Sequence, residues 1–278
     1  MFGRTILVLL LLWTQDSVKS LRVVELRVPT HEPEGGMALL GCQYDLQGDT
    51  LYNVKWYKDG HEFYRYVPKS DPPVSYFPMA GVNVDIGRSS ITAVALVNLT
   101  QDSSGNYSCE VNGEAPNFAT VIRHKHINIH LLPKSGPHIV GLKEQYHLDE
   151  LVAANCSLPP SRPKAHLMWF VNDRPAPTSY VSDPWFRVSD ERPDAVESIL
   201  QISFFATPSD FVNGAIKLKC QATIAPLYQK KTESTHYIAL PFTEANEITG
   251  EEKDIATSTT LKNSLISLLI PIFFLILM

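Results

Sequence analysis

Cysteine and basic residues are both scarce in this chain of 278 residues. Four cysteines are too few for a small disulfide-dense scaffold, although an even number permits pairing. The 24 Lys and Arg are outnumbered by 29 Asp and Glu, which gives a net charge of −5. A chain without a basic surplus has nothing to match a phosphate backbone, so nucleic-acid binding is not expected.

Common catalytic patterns are also missing from the sequence. It contains no Gly-rich phosphate loop, no His-Glu-x-x-His helix and no Gly-x-Ser-x-Gly turn, so we expect no enzyme and no cofactor. Hydrophobic residues make up 44% of the chain and charged residues 19%, a composition that supports packed cores. The length accommodates two ordinary domains.

The first 20 residues have the pattern of a secretory signal peptide. A single Arg4 precedes an apolar run at residues 6–13, and Val18 and Ser20 occupy the small-residue positions before a cut ahead of Leu21. The run is far shorter than the ~20 residues that a membrane-spanning helix needs. Secretion would make the four cysteines candidates for disulfides.

The C-terminal end has the pattern of a glycosylphosphatidylinositol (GPI) attachment signal. Residues 243–258 form a polar stalk, and residues 259–278 end in an apolar run without a following basic residue. Small residues, a polar spacer and a terminal apolar tail are typical of a signal that is removed when the anchor is attached. We expect attachment at Ala256, with Asp254 and Ser258 as alternatives. A short single-pass or tail-anchored helix remains open.

An internal repeat divides the region between these ends. Each half contains Cys, then Trp 13 or 14 residues later, then a second Cys. The repeat predicts an all-β protein of two tandem immunoglobulin-like β-sandwiches, in which the Trp packs against an inter-sheet disulfide. The expected domains are residues 21–132 and 138–242, joined by a Pro- and Gly-containing linker at 133–137. The pairs expected within them are Cys42 with Cys109 and Cys156 with Cys220.

The two halves differ in detail. Tyr107 stands two residues before Cys109, the position of a tyrosine corner, whereas Leu218 stands at that position in the second half. The first half also has room for extra strands at residues 62–67 and 74–77. We therefore expect a variable-type first domain and a constant-like second domain.

Three Asn-x-Ser/Thr sequons, at Asn98, Asn106 and Asn155, are expected to carry N-linked glycans. Asn98 and Asn106 flank the turn before Tyr107, which places them at the end of the first domain nearest the second. Asn155 precedes the inward Cys156, so strand alternation turns it outward.

A histidine-rich strip raises two further possibilities. On a strand, His124, His126 and His130 would lie on one face, but no Cys or carboxylate partner is nearby, so no metal site is expected. Residues 123–126 read Arg-His-Lys-His and could instead serve a glycan-binding module. That function is kept as an alternative.

The segment after the first Trp holds the candidate binding residues. Asp59-Gly60 predicts a tight hairpin, and the strand beyond it packs aromatic residues and Arg together. Alternation does not allow all of them to face outward. Exposed Tyr and Arg are typical anchors of protein interfaces. The expected partner-binding residues are Tyr57, Phe63, Tyr64, Arg65, Tyr66 and Glu110.

Residues 55–68, with Gly81-Val82-Asn83-Val84 further on, resemble the signature of the Beaten path family of insect neuronal recognition proteins. The resemblance covers both immunoglobulin-like domains. It implies a secreted or membrane-attached protein that acts in axon guidance and neuronal wiring by binding Sidestep-family receptors heterophilically through its first domain. An immune-type receptor is a further alternative.

Overall fold

The computed structural model describes residues 20–239, and all structural statements below concern this range. The expected polar stalk, attachment residues and apolar tail lie outside it, as does the expected signal peptide up to residue 19. Within residues 20–239 no helix is long and apolar enough to cross a membrane.

The first domain contains ten strands in two sheets. The strands are β1 (Arg22–Arg27), β2 (His31–Pro33), β3 (Met37–Asp45), β4 (Leu51–Lys58), β5 (His61–Tyr66), β6 (Val74–Tyr76), β7 (Val84–Asp85), β8 (Ala93–Val97), β9 (Gly105–Gly113) and β10 (Thr120–His130). The back sheet has the order β1-β3-β8-β7, and the front sheet has the order β2-β10-β9-β4-β5-β6. The extra strands β5 and β6 on the front sheet are those of a variable-type domain, as the sequence predicts.

The second domain contains nine strands in two sheets. The strands are β11 (His138–Val140), β12 (Gln145–Tyr146), β13 (Leu151–Ser161), β14 (His166–Val171), β15 (Arg174–Pro175), β16 (Trp185–Val188), β17 (Val196–Phe205), β18 (Ala215–Ile224) and β19 (Tyr228–Ile238). One sheet has the order β11-β13-β17-β16 and the other β12-β19-β18-β14-β15. Apart from the two-residue strands β12 and β15, this is the arrangement of a constant-type sandwich.

Each sandwich closes around the expected disulfide and tryptophan. Cys42 pairs with Cys109 and Cys156 with Cys220, with Cα separations of 6.4 and 6.3 Å. Trp56 is fully buried beside the first disulfide, and Trp169 is almost fully buried beside the second. Each disulfide closes a long loop and so lowers the entropy of the unfolded chain, which stabilises each domain by about 4 kcal/mol in the chain-entropy model. The structure therefore confirms the all-β fold of two immunoglobulin-like sandwiches.

A tyrosine corner holds the end of the first domain nearest the second. The Tyr107 hydroxyl donates to the Ser103 carbonyl at 2.8 Å, and the Ser103 hydroxyl donates to the Gly81 carbonyl at 2.6 Å. Gly81 has φ +74°, and a Cβ there would lie 2.3 Å from the Asp102 carbonyl carbon. Only glycine fits this close approach, which explains the residue at the start of the Gly81-Val82-Asn83-Val84 segment.

A polar elbow joins the two sandwiches. Leu131 and Arg162 exchange two backbone hydrogen bonds of 2.8 and 3.0 Å across the junction. Glu34 of the first domain lies 3.2 Å from Arg162 and 3.1 Å from Arg192, and both arginines also pair with Asp194. The Arg162 side chain is only 17% exposed. Partly buried charges held by several partners restrict the angle between the domains more than a single surface pair would.

Candidate functional site

The outward side of the front sheet, here called the front face, is built by alternate residues of four neighbouring strands. Glu110 of β9 pairs with Lys55 of β4, which in turn pairs with Arg65 of β5. One row below, Ser108 pairs with Tyr57. Lys55, Tyr57, Arg65 and Glu110 are all half-buried, so their side chains reach solvent from a fixed position. Three of the six expected partner-binding residues therefore share this face: Tyr57, Arg65 and Glu110.

Phe63 and Tyr64 do not belong to the front face, and this part of the sequence expectation is corrected. Both are 0% exposed and lie in the core of the first domain. Trp56 pairs with Tyr64 but Tyr57 pairs with Glu62, so Phe63 is an extra residue in β5. This β-bulge breaks the alternation and turns two consecutive aromatic side chains inward.

The buried pair is well packed. The Phe63 ring meets the Tyr107 ring edge-on, with centroids 5.9 Å apart. The Tyr64 hydroxyl donates to the Ser90 carbonyl at 3.1 Å, and burial raises the pKa of Tyr64 to about 12. These contacts are structural and leave neither ring available to a partner.

Tyr66 does not belong to the front face either, which corrects another member of the expected set. It pairs with the buried Val54, so it points to the same side as Tyr64, and it packs against the core while remaining half-buried. Residues two apart on a strand share a face, and after the bulge that face is the inner one.

Paired charges occupy the centre of the front face. The Lys55 ammonium lies 3.3 Å from the Glu110 carboxylate, which also accepts a hydrogen bond of 2.8 Å from the Asn112 amide. Burial opposes ionisation of Glu110, but Asn112 and Lys55 outweigh it and hold its pKa below the ordinary value. The pKa of Tyr57 is raised by burial and by the nearby Glu110. The centre thus presents fixed charges of both signs around a tyrosine ring.

A second ion pair lies on the neighbouring strand. Arg65 donates from two nitrogens to the two Glu62 oxygens, at 2.6 and 2.8 Å, and these hydrogen bonds raise the pKa of Arg65. Residues three apart on a regular strand lie on opposite faces, so this pair exists because of the bulge at Phe63. The Arg65 guanidinium also stands 5.7 Å from the centre of the Phe77 ring.

Exposed apolar residues outside the expected set lie towards the end of the first domain that is farther from the second domain, here called the upper end of the front face. Phe118, in the loop between β9 and β10, is 71% exposed, Tyr52 is 53% exposed and Ile122 is 48% exposed. Phe118 has φ +50°, and its N–H donates to the Glu114 carbonyl at 3.1 Å. Ile122 pairs with the outward Glu110, so alternation could have found it; a loop residue such as Phe118 leaves no periodic signal.

The three sequons lie on different surfaces. Asn106 is exposed on β9 at the lower end of the front face, near the second domain. Asn98 is exposed in the turn after β8, and Asn155 is half-buried on β13 of the second domain.

The histidine strip does not form one surface. His130 is buried and lies 2.8 Å from His31 at the elbow, whereas His124 and His126 are exposed on the front face. Arg123 and Lys125 pair with Cys109 and Tyr107, whose side chains point inward, so both turn away from the two exposed histidines. Among the described residues, no three His, Cys, Asp or Glu side chains gather as a metal site.

Comparisons with known proteins agree with this fold. The family model described as immunoglobulin domain matches residues 29–120. No curated protein matches significantly. The solved structure of murine CEACAM1b is 16% identical to this chain and has a TM-score of 0.51. The match covers 77% of this chain and the full length of the CEACAM1b structure.

Two further solved structures are similar at lower scores. A two-domain structure of Rst is 11% identical with a TM-score of 0.49, and the match covers 79% of this chain and all of the Rst structure. A four-domain structure of Sidekick-1 is 15% identical with a TM-score of 0.44, and 80% of this chain covers 49% of it. Immunoglobulin domains are typical of cell-surface recognition and adhesion proteins. Residues 29–120 of this chain are similar to the immunoglobulin domain, in agreement with the sandwich fold of the first domain.

Proposed function

We propose that this protein is a cell-surface recognition protein that binds a Sidestep-family receptor through the front face of its first domain. The observation that carries the proposal is the half-buried group of Tyr57, Arg65 and Glu110, each held by neighbours on the same face. Tyr and Arg in fixed positions provide contact area at little cost in side-chain entropy. The choice of partner family rests on the resemblance of residues 55–68 to Beaten path proteins.

Charge complementarity would set the register of the complex. Lys55 and Glu110 lie beside Tyr57, and Arg65 lies beside Glu62, so the face alternates in sign over a short distance. A partner must present the reverse order to avoid like-charge contacts, which cost more than matched contacts gain. The glycan-binding alternative is less favoured because Arg123 and Lys125 point away from His124 and His126.

A binding screen against Sidestep-family ectodomains tests this function directly. Tyr57→Ala should weaken binding by about 2 kcal/mol, the range of interface hot spots. Arg65→Ala should weaken it by a similar amount. Leu39→Ser, at an exposed position of the back sheet, is the matched control and should bind as the unaltered protein does. Equal binding by all three variants would place the partner elsewhere.

We also propose that the protein is held on the outer leaflet of the plasma membrane by a GPI anchor at Ala256, Asp254 or Ser258. The support is the order of small residues, polar spacer and apolar run within residues 243–278. Phosphatidylinositol-specific phospholipase C should release the protein from expressing cells. A protein that stays on the membrane, while a known anchored control is released, would indicate a spanning helix.

A further inference from the structure

The sequon at Asn106 is built into the front face itself. Asn106 and Ser108 both point outward from β9, where they pair with His126 and His124 of β10. Ser108 also pairs with Tyr57 on the other side. Residues two apart on a strand are separated by about 7 Å, so Asn106 lies one row below Tyr57.

The side chain of Asn106 is already oriented for a glycan. Its amide oxygen lies 3.1 Å from the His126 ring nitrogen Nδ1, which fixes the plane of the amide. The amide nitrogen Nδ2 has no hydrogen-bond partner among the described residues, and the residue is exposed. A sugar on Nδ2 would therefore extend into solvent while the contact between the oxygen and His126 is kept.

We propose that Asn106 carries an N-linked glycan that covers the lower end of the front face and confines recognition to the upper end. The covering of the lower end by the glycan concerns this chain alone, whereas the confinement of recognition to the upper end rests on the proposed function. An N-linked glycan is bulky and hydrophilic, so it excludes a flat protein contact from the surface beneath it. The residues nearest to it are Ser108, His124 and His126.

The upper end has the composition of an interface, and the lower end does not. Ile122 lies in the same row as the Lys55–Glu110 ion pair, and Tyr52 and Phe118 add exposed apolar surface closer to the end of the domain that is farther from the second domain. Aromatic anchors around a small number of charges are typical of the centre of a protein interface. The Asn98 glycan would lie in the turn after β8, away from this face, so Asn98 offers a matched control.

The covering is tested without any partner. Glycopeptide mass spectrometry of the protein secreted from eukaryotic cells should find Asn106 occupied. Hydroxyl-radical footprinting should then show His124 and His126 several-fold more reactive in Asn106→Gln and in Ser108→Ala, which removes the sequon but keeps Asn106. Phe118 should not change in either variant, and Asn98→Gln should change none of these residues. An empty Asn106, or equal reactivity with and without the glycan, would overturn the proposal.

The confinement is tested with the Sidestep-family ectodomain that binds the unaltered protein. Asn106→Gln should bind within about threefold of the unaltered protein, less than one hot-spot residue contributes. Ile122→Asn combined with His124→Thr creates a sequon at the upper end and should lower affinity more than about tenfold. His124→Thr alone is its matched control and should bind normally. Loss of binding in Asn106→Gln, or normal binding by a glycosylated double variant, would overturn the confinement.

The two parts fail in different ways. If no Sidestep-family ectodomain binds the unaltered protein, the proposed function is refuted, and the footprint still decides whether the glycan covers the lower end. If the ectodomain binds and the footprint is unchanged, the function stands and the covering is refuted.

Discussion

Truncation of Phe63 should unfold the first domain far more readily than truncation of its neighbour Tyr57. Phe63 is 0% exposed, and its ring packs edge-on against Tyr107. Replacing a buried Phe with Ala typically costs about 3–5 kcal/mol, because the transfer free energy is lost and a cavity remains. In a domain of this size each kcal/mol lowers the melting temperature by about 4–8 °C. Phe63→Ala should therefore lower it by roughly 12 °C or more.

A smaller change at the adjacent position tests the same geometry. Tyr64→Phe keeps the buried ring and removes only the hydroxyl that donates to the Ser90 carbonyl. Such a hydrogen bond contributes about 1 kcal/mol, although the carbonyl left without a donor adds to the cost. The expected drop in melting temperature is about 4–8 °C. The variants should thus rank with Phe63→Ala lowest, Tyr64→Phe next and Tyr57→Ala close to the unaltered protein.

Differential scanning calorimetry of the disulfide-bonded protein measures this order. Phe63 and Tyr64 lie in the core of the first domain only, so the transition of the second domain provides a reference within each sample. Near-normal melting of Phe63→Ala, together with a large drop in Tyr57→Ala, would refute the inward orientation that the bulge imposes.

Three other predictions follow from the elbow and from the upper end of the front face. Arg162→Ala removes contacts to Glu34, Gln101 and Asp194, and small-angle X-ray scattering should show a wider range of interdomain angles. Burial, His31 and Arg162 hold the pKa of His130 below its ordinary value. A histidine with a lowered pKa is more easily kept neutral in the folded state than in the unfolded state. Its contribution to the free energy of unfolding is therefore fully present above about pH 6.5 and is lost as the pH falls. Thermal unfolding should become easier between about pH 7 and pH 5, and less steeply so in His130→Asn. Phe118→Asn, which tolerates the positive φ, should weaken binding of a Sidestep-family ectodomain more than about tenfold without lowering the melting temperature.

The fold could be predicted from the sequence because its signals are tied to fixed geometry. A disulfide across two sheets needs a Cys on each, and Trp56 and Trp169 occupy the strand that follows the first Cys in each domain. Tyr107 forms the expected corner by donating to the Ser103 carbonyl. The Ser103 hydroxyl donates to the Gly81 carbonyl and accepts from the Thr100 N–H at 2.8 Å, so it links the turn between β8 and β9 to the loop between β6 and β7.

The front face could be predicted only in part because alternation fails wherever a strand holds an extra residue. The outward direction of Tyr57 and Glu110 follows from alternation, because each adjoins a residue whose side chain points inward. Phe63 lies beyond the bulge, and a second register shift near Tyr52 lies between Leu51 and Asn53. The contacts at the elbow could not be predicted from local sequence pattern, because Glu34 and Arg162 are 128 positions apart.

The bulge in β5 makes the core and the front face depend on each other. By adding one residue it buries Phe63 and Tyr64 together, and it brings Glu62 and Arg65 onto one face, where they pair. A regular strand would turn one of the two charges into the core, where an unpaired charge is strongly destabilising. The Glu62–Arg65 ion pair therefore forms only in the bulged register of β5. A variant that disturbs the core at Phe63 should also displace Arg65, so a loss of binding is attributable to the face only when the melting temperature is unchanged.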